Sequence, residues 1–471
     1  MLPKEFTERM ERLLGGECES LFDEIENGVA VRSFRINEIK PVVDENLRVS
    51  ATKAAFPQGA YYTEEEHPGS LPCHHAGMIY MQDPSAMATV HAVEVSRGAK
   101  ILDSCSAPGG KTTQLAAMTG EGGVVVANEY ESKRCRILQS NVERMGCKNT
   151  VVVNLDTAVL AETYPKTFDL ALCDAPCSGE GMFRKNELAV GEWSLENVEM
   201  CAERQREILG NVAKCVKGGG LLIYSTCTFS LEENEMNVAW FLDNFGDFEL
   251  VDVSEGLKEV TSDGIMLDTH TYDMKKTRRF YPHVSKGEGQ FIAVFKRELC
   301  ESENAVSVSK KDKKKKSTAE KIAKADLELV AEAEKFLREN LRSGFENGVK
   351  YTLIALNGRA YLKPDIELPP YSVFAAGVCV GEMVGKRFAP HHQLFSAFGR
   401  DFVRRINLTQ SSPETFDYLR GLEISVADTL VSDGKSDGYA ALLIDGCPLG
   451  GGKVSGGVCK NHYPKGLRNQ Q

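Results

Sequence analysis

The sequence predicts an α/β fold, a mostly parallel Rossmann-like sheet with smaller α+β modules on either side of it. Three observations predict it. Short apolar runs alternate with helical patterns from about Lys100 to Arg297, a lysine-rich polar break follows at about Glu301 to Lys324, and a hairpin signal lies beyond the break.

The elements follow in order. Helical patterns at Phe6 to Leu14 and Glu17 to Ile25 precede a short strand at Val31 to Ile36. Ile101-Leu102 ends the first strand of the sheet, and Val124 to Ala127 forms the second. A helical pattern from Glu131 to Met145 leads to a third strand, Val151-Val152-Val153. Strands at Phe168 to Cys173 and Leu221 to Tyr224 enclose a long helix from Ser194 to Val216, with Gly218-Gly219-Gly220 as its expected stop. Continuous apolar strands alternating with helices mean a parallel sheet covered on both faces. Such sheets bind ligands at the carboxyl ends of their strands. After the break, a helix is expected at Ala325 to Leu341, and Asn357-Gly358 between YTLIAL and RAYL marks a hairpin.

The chain has 471 residues, which suggests about three domains. With 42% hydrophobic and 26% charged residues it has a soluble globular profile. The N-terminus carries mixed charge, and no stretch of membrane-spanning length is free of charge, so a cytoplasmic location without a membrane partner is expected. The 14 cysteines never form a C-x-x-C pair, and the pairs His74-His75 and His391-His392 have no cysteines at zinc spacing. No metal is therefore expected, and most thiols read as small buried apolar groups. A net charge of −11 argues weakly against a nucleic-acid partner, but binding depends on local patches. Candidate patches are Arg184-Lys185, the run Lys275 to Arg279, Arg404-Arg405, and the tail with Lys453, Lys460, Lys465 and Arg468.

The first strand runs into Asp103-Ser104-Cys105-Ser106-Ala107-Pro108-Gly109-Gly110-Lys111-Thr112. Small residues and two glycines let a ligand approach the backbone, and the following helix presents N–H groups to an anion. A P-loop would need glycine where Cys105 stands, and the three spaced glycines of a dinucleotide loop are missing. A nucleoside ligand with a carboxylate fits what remains. Glu129, just past the second strand, is placed to take both hydroxyls of a ribose. Asp156 follows the third strand and Asp174 closes the fourth, so acids mark four strand ends in a row.

Two cysteines share that edge: Cys177 in Asp174-Ala175-Pro176-Cys177 and Cys227 in Ser225-Thr226-Cys227. Carbon 5 of cytosine is too weak a nucleophile to take a methyl group directly from a sulfonium. A thiolate adding to carbon 6 makes an enamine whose carbon 5 can attack. An acid at ring nitrogen 3, for which Asp174 is placed, would stabilise the adduct. The base must be unstacked to reach such a pocket. The residues alone leave open which thiol attacks.

At these residues the sequence resembles the RNA 5-methylcytosine methyltransferases of the Nol/Nop/Sun family. The resemblance covers Asp103 to Thr112, Asp174 to Gly181, Ser225 to Cys227 and the neighbourhood of Arg35-Ile36-Asn37. It implies a class I methyltransferase core with a seven-stranded sheet and S-adenosylmethionine as cofactor. It also implies that Cys227 is the nucleophile and that Cys177 assists product release. The cofactor would lie against Cys105, Ser106, Ala107, Pro108, Gly109, Gly110, Lys111, Glu129, Asp156 and Asp174. The flanks GMIYMQDPSAM, GEMVGKRFAPH and KNHYPKGLR are similar to members that modify small-subunit rRNA. That implies 16S rRNA or the small ribosomal subunit as partner and a PUA-like RNA-binding region at the C-terminus. Cys105 stands where alanine is common, and Glu38 where threonine is usual.

The expected organisation is an N-terminal RNA-binding domain at 1–75, a catalytic domain at 76–298 and a lysine-rich linker at 299–324. An intermediate domain at 325–395 and a PUA-like domain at 396–471 complete it. The chain is expected to act as a monomer. A methyltransferase of proteins or small molecules would not need the paired cysteines, and a non-catalytic RNA-binding scaffold would have lost them. A tRNA substrate is the alternative to rRNA.

Overall fold

A computed structural model describes residues 2–40, 51–299, 318–342, 351–426 and 429–469. Most of the lysine-rich linker expected at 299–324 lies outside the described residues.

The centre of the molecule is a ten-stranded mixed sheet. Five parallel strands form its middle: β1 (Lys100–Asp103), β2 (Val124–Asn128), β3 (Thr150–Val153), β4 (Phe168–Asp174) and β5 (Val216–Thr226). In space they run β5-β4-β1-β2-β3, so the order reverses between β1 and its neighbours. Antiparallel β6 (Gln290–Arg297) pairs with β5, and antiparallel β7 (Val373–Ala376) pairs with β3 at the other side. Alternate strand residues enter two separate apolar clusters: Leu102, Val124 and Val126 in one, Ile101, Val125 and Ala127 in the other. That alternation is why the strands read as unbroken apolar runs.

Helices cover both faces. α1 (Gly110–Thr119) follows β1, α2 (Ser132–Met145) follows β2, and α3 (Leu195–Cys215) precedes β5. α3 starts where the Ser194 hydroxyl accepts the Asn197 N–H, the usual way of satisfying a first-turn donor. α4 (Glu235–Asn244) follows the loop after β5.

Three expectations are corrected. Gly218-Gly219-Gly220 do not stop a helix, because α3 ends at Cys215 and β5 begins at Val216. The glycines instead form an irregularity in β5 opposite Asp169, where Gly219 adopts φ +76 and a Cβ on Gly220 would meet Lys217 O at 2.9 Å. The sheet has ten strands, not seven, in part because β7 from the expected intermediate domain joins its edge. The N-terminal sheet also runs past the boundary expected at residue 75, since Ile79–Met81 pairs with Ser33–Ile36.

That N-terminal sheet has four antiparallel strands. The helices Lys4–Leu14 and Cys18–Asn27 lie before it and pack Phe6, Met10, Leu21 and Ile25 onto Phe183, Trp193 and Phe229 of the catalytic domain. The C-terminal half holds a four-stranded and a six-stranded sheet. The Asn357-Gly358 turn joins Thr352–Leu356 to Arg359–Lys363 with φ +51 and +76, the twist a two-residue hairpin needs. The six-stranded sheet shares one apolar cluster with the N-terminal sheet, so Phe34 and Ile79 pack with Ile406 and Leu442.

Candidate active site

A cavity of about 730 Å³ opens over the carboxyl ends of the parallel strands, where the strand order reverses. It is lined by Cys105, Ala107, Glu129, Asp156, Asp174, Cys177 and Cys227, all expected site residues. Ser106, Pro108, Gly109, Gly110 and Lys111 do not line it but build the loop behind it. Ser106 Oγ donates to Asp103 O at 2.7 Å, and Asn141 Nδ2 donates to Pro108 O at 2.9 Å. Gly109 caps α1 at φ +108, a left-handed conformation that favours glycine, and a Cβ there would meet Leu138 Cδ1 at 3.1 Å. Arg35 ties the loop to the N-terminal sheet, donating to Gly110 O at 2.8 Å and Thr113 Oγ1 at 2.6 Å. Asn37 donates to Gly77 O and Met145 O, which ties the N-terminal sheet to the end of α2.

The four strand-end acids differ in what they touch. Asp103 turns inward, accepts Thr112 Oγ1 at 2.6 Å, and burial pushes it up to about 7. Glu129 is buried at the cavity wall, accepting the Glu131 N–H at 2.9 Å with Arg134 at 3.6 Å. Asp156 is exposed and caps the helix Thr157–Thr163 through Ala158 N at 2.8 Å. Asp174 pairs with Lys111 Nζ at 2.8 Å, and it accepts Ser225 Oγ at 2.6 Å and Gln290 Nε2 at 3.3 Å.

The two thiols meet. Cys177 Sγ lies 3.2 Å from Cys227 Sγ, and the Cys227 N–H points at Cys177 Sγ at 3.3 Å. The contact with Cys227 and then burial hold the Cys177 thiol well above the usual thiol range. Burial likewise pushes the Cys105 thiol up to about 12.

Sequence reading missed part of the cavity wall. Tyr130, Arg134, Arg204, Glu207 and Ile208 also line it. The last three sit at i, i+3 and i+4 on α3, a spacing that puts them on one helical face but does not say which.

Several of the nominated basic residues are paired within the fold. Arg184 pairs with Glu24 and Glu288, and Lys185 with Asp83 at 2.9 Å. Arg278 and Arg279 are buried against Asp263 and Glu235. Arg404 binds Asn340 and Tyr439 O, and Arg405 binds Phe402 O. Lys453, Lys460 and Lys465 remain exposed. His75 Nδ1 meets Tyr463 OH at 2.9 Å, and His391 Nδ1 accepts Gln393 N.

Comparison with known proteins agrees with this architecture. Residues 90–296 match the family described as 16S rRNA methyltransferase RsmB/F. Residues 2–84 match the N-terminal domain of 16S rRNA methyltransferase RsmF, and 406–469 the methyltransferase RsmF PUA domain. Ribosomal RNA small subunit methyltransferase F of Vibrio vulnificus is 33% identical over 339 residues, 66% of this chain and 68% of that protein. The protein of the same name from Psychromonas ingrahamii is 29% identical over 99% of this chain and 97% of its own length. A methyltransferase homologue from Pyrococcus horikoshii, 27% identical, superposes over 63% of this chain and 95% of its own with a TM-score of 0.55. NSun6 from the same organism, at 22% identity and a TM-score of 0.54 over 63% of this chain and 98% of its own, shares the fold. With matches running from the N-terminal sheet through the catalytic core to the last strands, the chain belongs to the family of ribosomal RNA small subunit methyltransferase F.

Proposed function

We propose that the protein methylates carbon 5 of a cytosine in small-subunit (16S) rRNA, using S-adenosylmethionine and a covalent link between Cys227 and the base. The observation that carries this reading is the pair of thiols 3.2 Å apart at adjoining strand ends, opening onto the same cavity as Glu129 and Asp174.

The cavity fits the cofactor. Its volume suits a nucleoside with a side chain, and the buried Glu129 carboxylate at its wall offers acceptors for a ribose diol. Glu129 and Asp156 would hold the nucleoside, and the loop from Cys105 to Lys111 would face the amino-acid end. When bound, S-adenosylmethionine supplies an electrophilic methyl group.

The chain's own residues do the rest. Cys227 as thiolate forms a bond to carbon 6 of the cytosine, and the displaced pair makes carbon 5 nucleophilic through the ring. Asp174, placed by Lys111 and Ser225, would donate a carboxyl proton to ring nitrogen 3 as Cys227 adds, neutralising the charge that gathers there, and take that proton back as Cys227 leaves. After carbon 5 has gained its methyl group, a base takes the carbon 5 proton. The freed pair restores the ring double bond while the carbon–sulfur bond breaks, returning the Cys227 thiolate. Cys177, within 3.2 Å of that sulfur, assists this last step. The flanking modules would hold the RNA and present the unstacked base.

The test uses labelled S-adenosylmethionine with deproteinised rRNA, small subunits and tRNA, read by incorporation and a denaturing gel. Cys227→Ala is expected to lower transfer by about 10⁴-fold or more and to leave no adduct. Cys177→Ala is expected to leave protein covalently attached to RNA. The reverse pattern would assign attack to Cys177, and labelling of tRNA alone would overturn the substrate.

A further inference from the structure

The loop after β5 carries Glu233-Asn234-Glu235, and its first two side chains reach back to the two cysteines separately. Glu233 is fully buried. Its carboxylate accepts both the N–H and the hydroxyl of Ser178, the residue after Cys177, with the N–H at 3.0 Å. Gln205 on α3 donates to Glu233 at 2.7 Å and to Pro176 O, the residue before Cys177, at 3.0 Å. Cys177 is thus pinned through both of its neighbours. Asn234, also fully buried, does the same for Cys227. Its Oδ1 accepts Thr226 Oγ1 at 2.6 Å, and its Nδ2 donates to Thr228 O at 2.9 Å. Neither side chain lines the cavity.

We propose that Glu233 and Asn234 are positioning residues with divided roles, Glu233 setting Cys177 for release and Asn234 setting Cys227 for attack. The division rests on the two-cysteine mechanism proposed above. Adjacent residues at the head of one helix hold the two thiol loops, so the 3.2 Å separation of the sulfurs is fixed from one point. A shift of either loop would spoil one step and spare the other, because displacement of a reacting group by about 1 Å can cost roughly 100-fold in rate.

The test follows single-turnover methyl transfer and the fraction of covalent protein–RNA complex, with Cys227→Ala and Cys177→Ala as controls. Glu233→Gln replaces one acceptor oxygen by a donor that faces the donors of Ser178 and Gln205. It is expected to cut turnover by about tenfold or more while slowing transfer far less, so that complex accumulates. Asn234→Ala is expected to slow transfer itself by about tenfold or more with no accumulation. In a Cys177→Ala background, Glu233→Gln should change adduct formation less than about twofold, whereas Asn234→Ala should still slow it. A general loss of packing would not produce that asymmetry. Ser178→Ala and Thr226→Val remove the matching donors and give the same readouts should either first variant fail to fold. Equal losses of transfer and release in both variants, or an additive effect of Glu233→Gln on Cys177→Ala, would overturn the division. If the cysteine controls themselves do not separate attack from release, the two-cysteine reading fails first, and that result is distinguishable from a failure of the positioning roles.

Discussion

Glu129 and Asp103 have the same kind of place in sequence, each beside the end of a central strand, yet only Glu129 faces the cavity. Asp103 closes β1 inside the loop it supports, and burial raises it to about 7, whereas Glu129 stands one residue beyond β2 at the wall. Strand-end position was legible, because apolar runs end abruptly at the acid. Direction was not, because it depends on the loop that follows. The same limit explains the basic patches. Arg279 reads as part of an exposed cationic run, but it is almost fully buried and binds Glu235 with two nitrogens and Phe229 O with one. Its partner lies 44 residues away, a pairing that no local pattern reveals. Arg279→Met should therefore destabilise the fold by about 3–5 kcal/mol, since it strands a buried carboxylate beside the Cys227 loop. Chemical denaturation checks this, and adding Glu235→Leu should recover part of the loss. An unchanged midpoint for Arg279→Met would show that the pair is solvated.

Among the elements, the parallel strands and their helices were the most legible, because strands buried on both faces leave long apolar runs in the sequence. The β5 glycines were misread since three glycines in a row end a helix by default, whereas here they relieve the crossing from α3 into a bulged strand. Less legible still was the helix Lys4–Leu14. Its apolar stripe was visible, but not what it covers. Phe6 packs edge-on to Phe183 at 5.1 Å and Trp193 at 5.9 Å, and Trp193 Nε1 donates to Glu180 at 2.9 Å. Glu180 in turn accepts Thr228 Oγ1 and Phe229 N, so the first helix braces the loops that follow both cysteines. Phe6→Ala should cost about 3–5 kcal/mol as a buried ring is lost and its cavity only partly collapses. Thermal melting reads the stability, and rRNA methylation reads the consequence for the loops. Full activity at an unchanged melting temperature would mean that the helix packs independently of the site.

At the scale of the molecule, the modules are joined through a polar knot that no segment of sequence announces. Lys40 is buried, and its ammonium donates to Ala76 O, Arg144 O, Ser396 Oγ and Pro448 O at 2.7 to 3.0 Å, linking the N-terminal module to the catalytic core and the C-terminal region. Burial, its largest influence, lowers it to about 8. Around it, His75 meets Tyr463, His74 lies edge-on to His75, and His392 lies edge-on to the Tyr463 ring at 5.3 Å. Burial above all holds His74 and His392 down to about 3 and His75 to about 4, and the Arg144 cation adds to the effect on His74 and His75. A histidine freed from the knot would take a proton near pH 6.5, while a docked one resists until far lower pH. Docking is therefore stabilised by these groups above about pH 6.5 and loses that stability as pH falls toward 4. Lys40 contributes no further change in that window, because it is already charged below about pH 8. Glu143, which burial raises to about 7, has the opposite sign and gains stability as pH falls, but it is one group against three. The C-terminal sheet should therefore loosen between pH 7 and 5 before the catalytic core unfolds. Limited proteolysis in the 299–324 segment, with scattering to follow separation, would show it as faster cleavage and a larger radius at pH 5. His75→Gln should flatten that pH dependence, because the side chain keeps a polar contact for Tyr463 but has no proton to gain. Docking equally tight at both pH values would mean that the knot already admits water and that its histidines titrate in place.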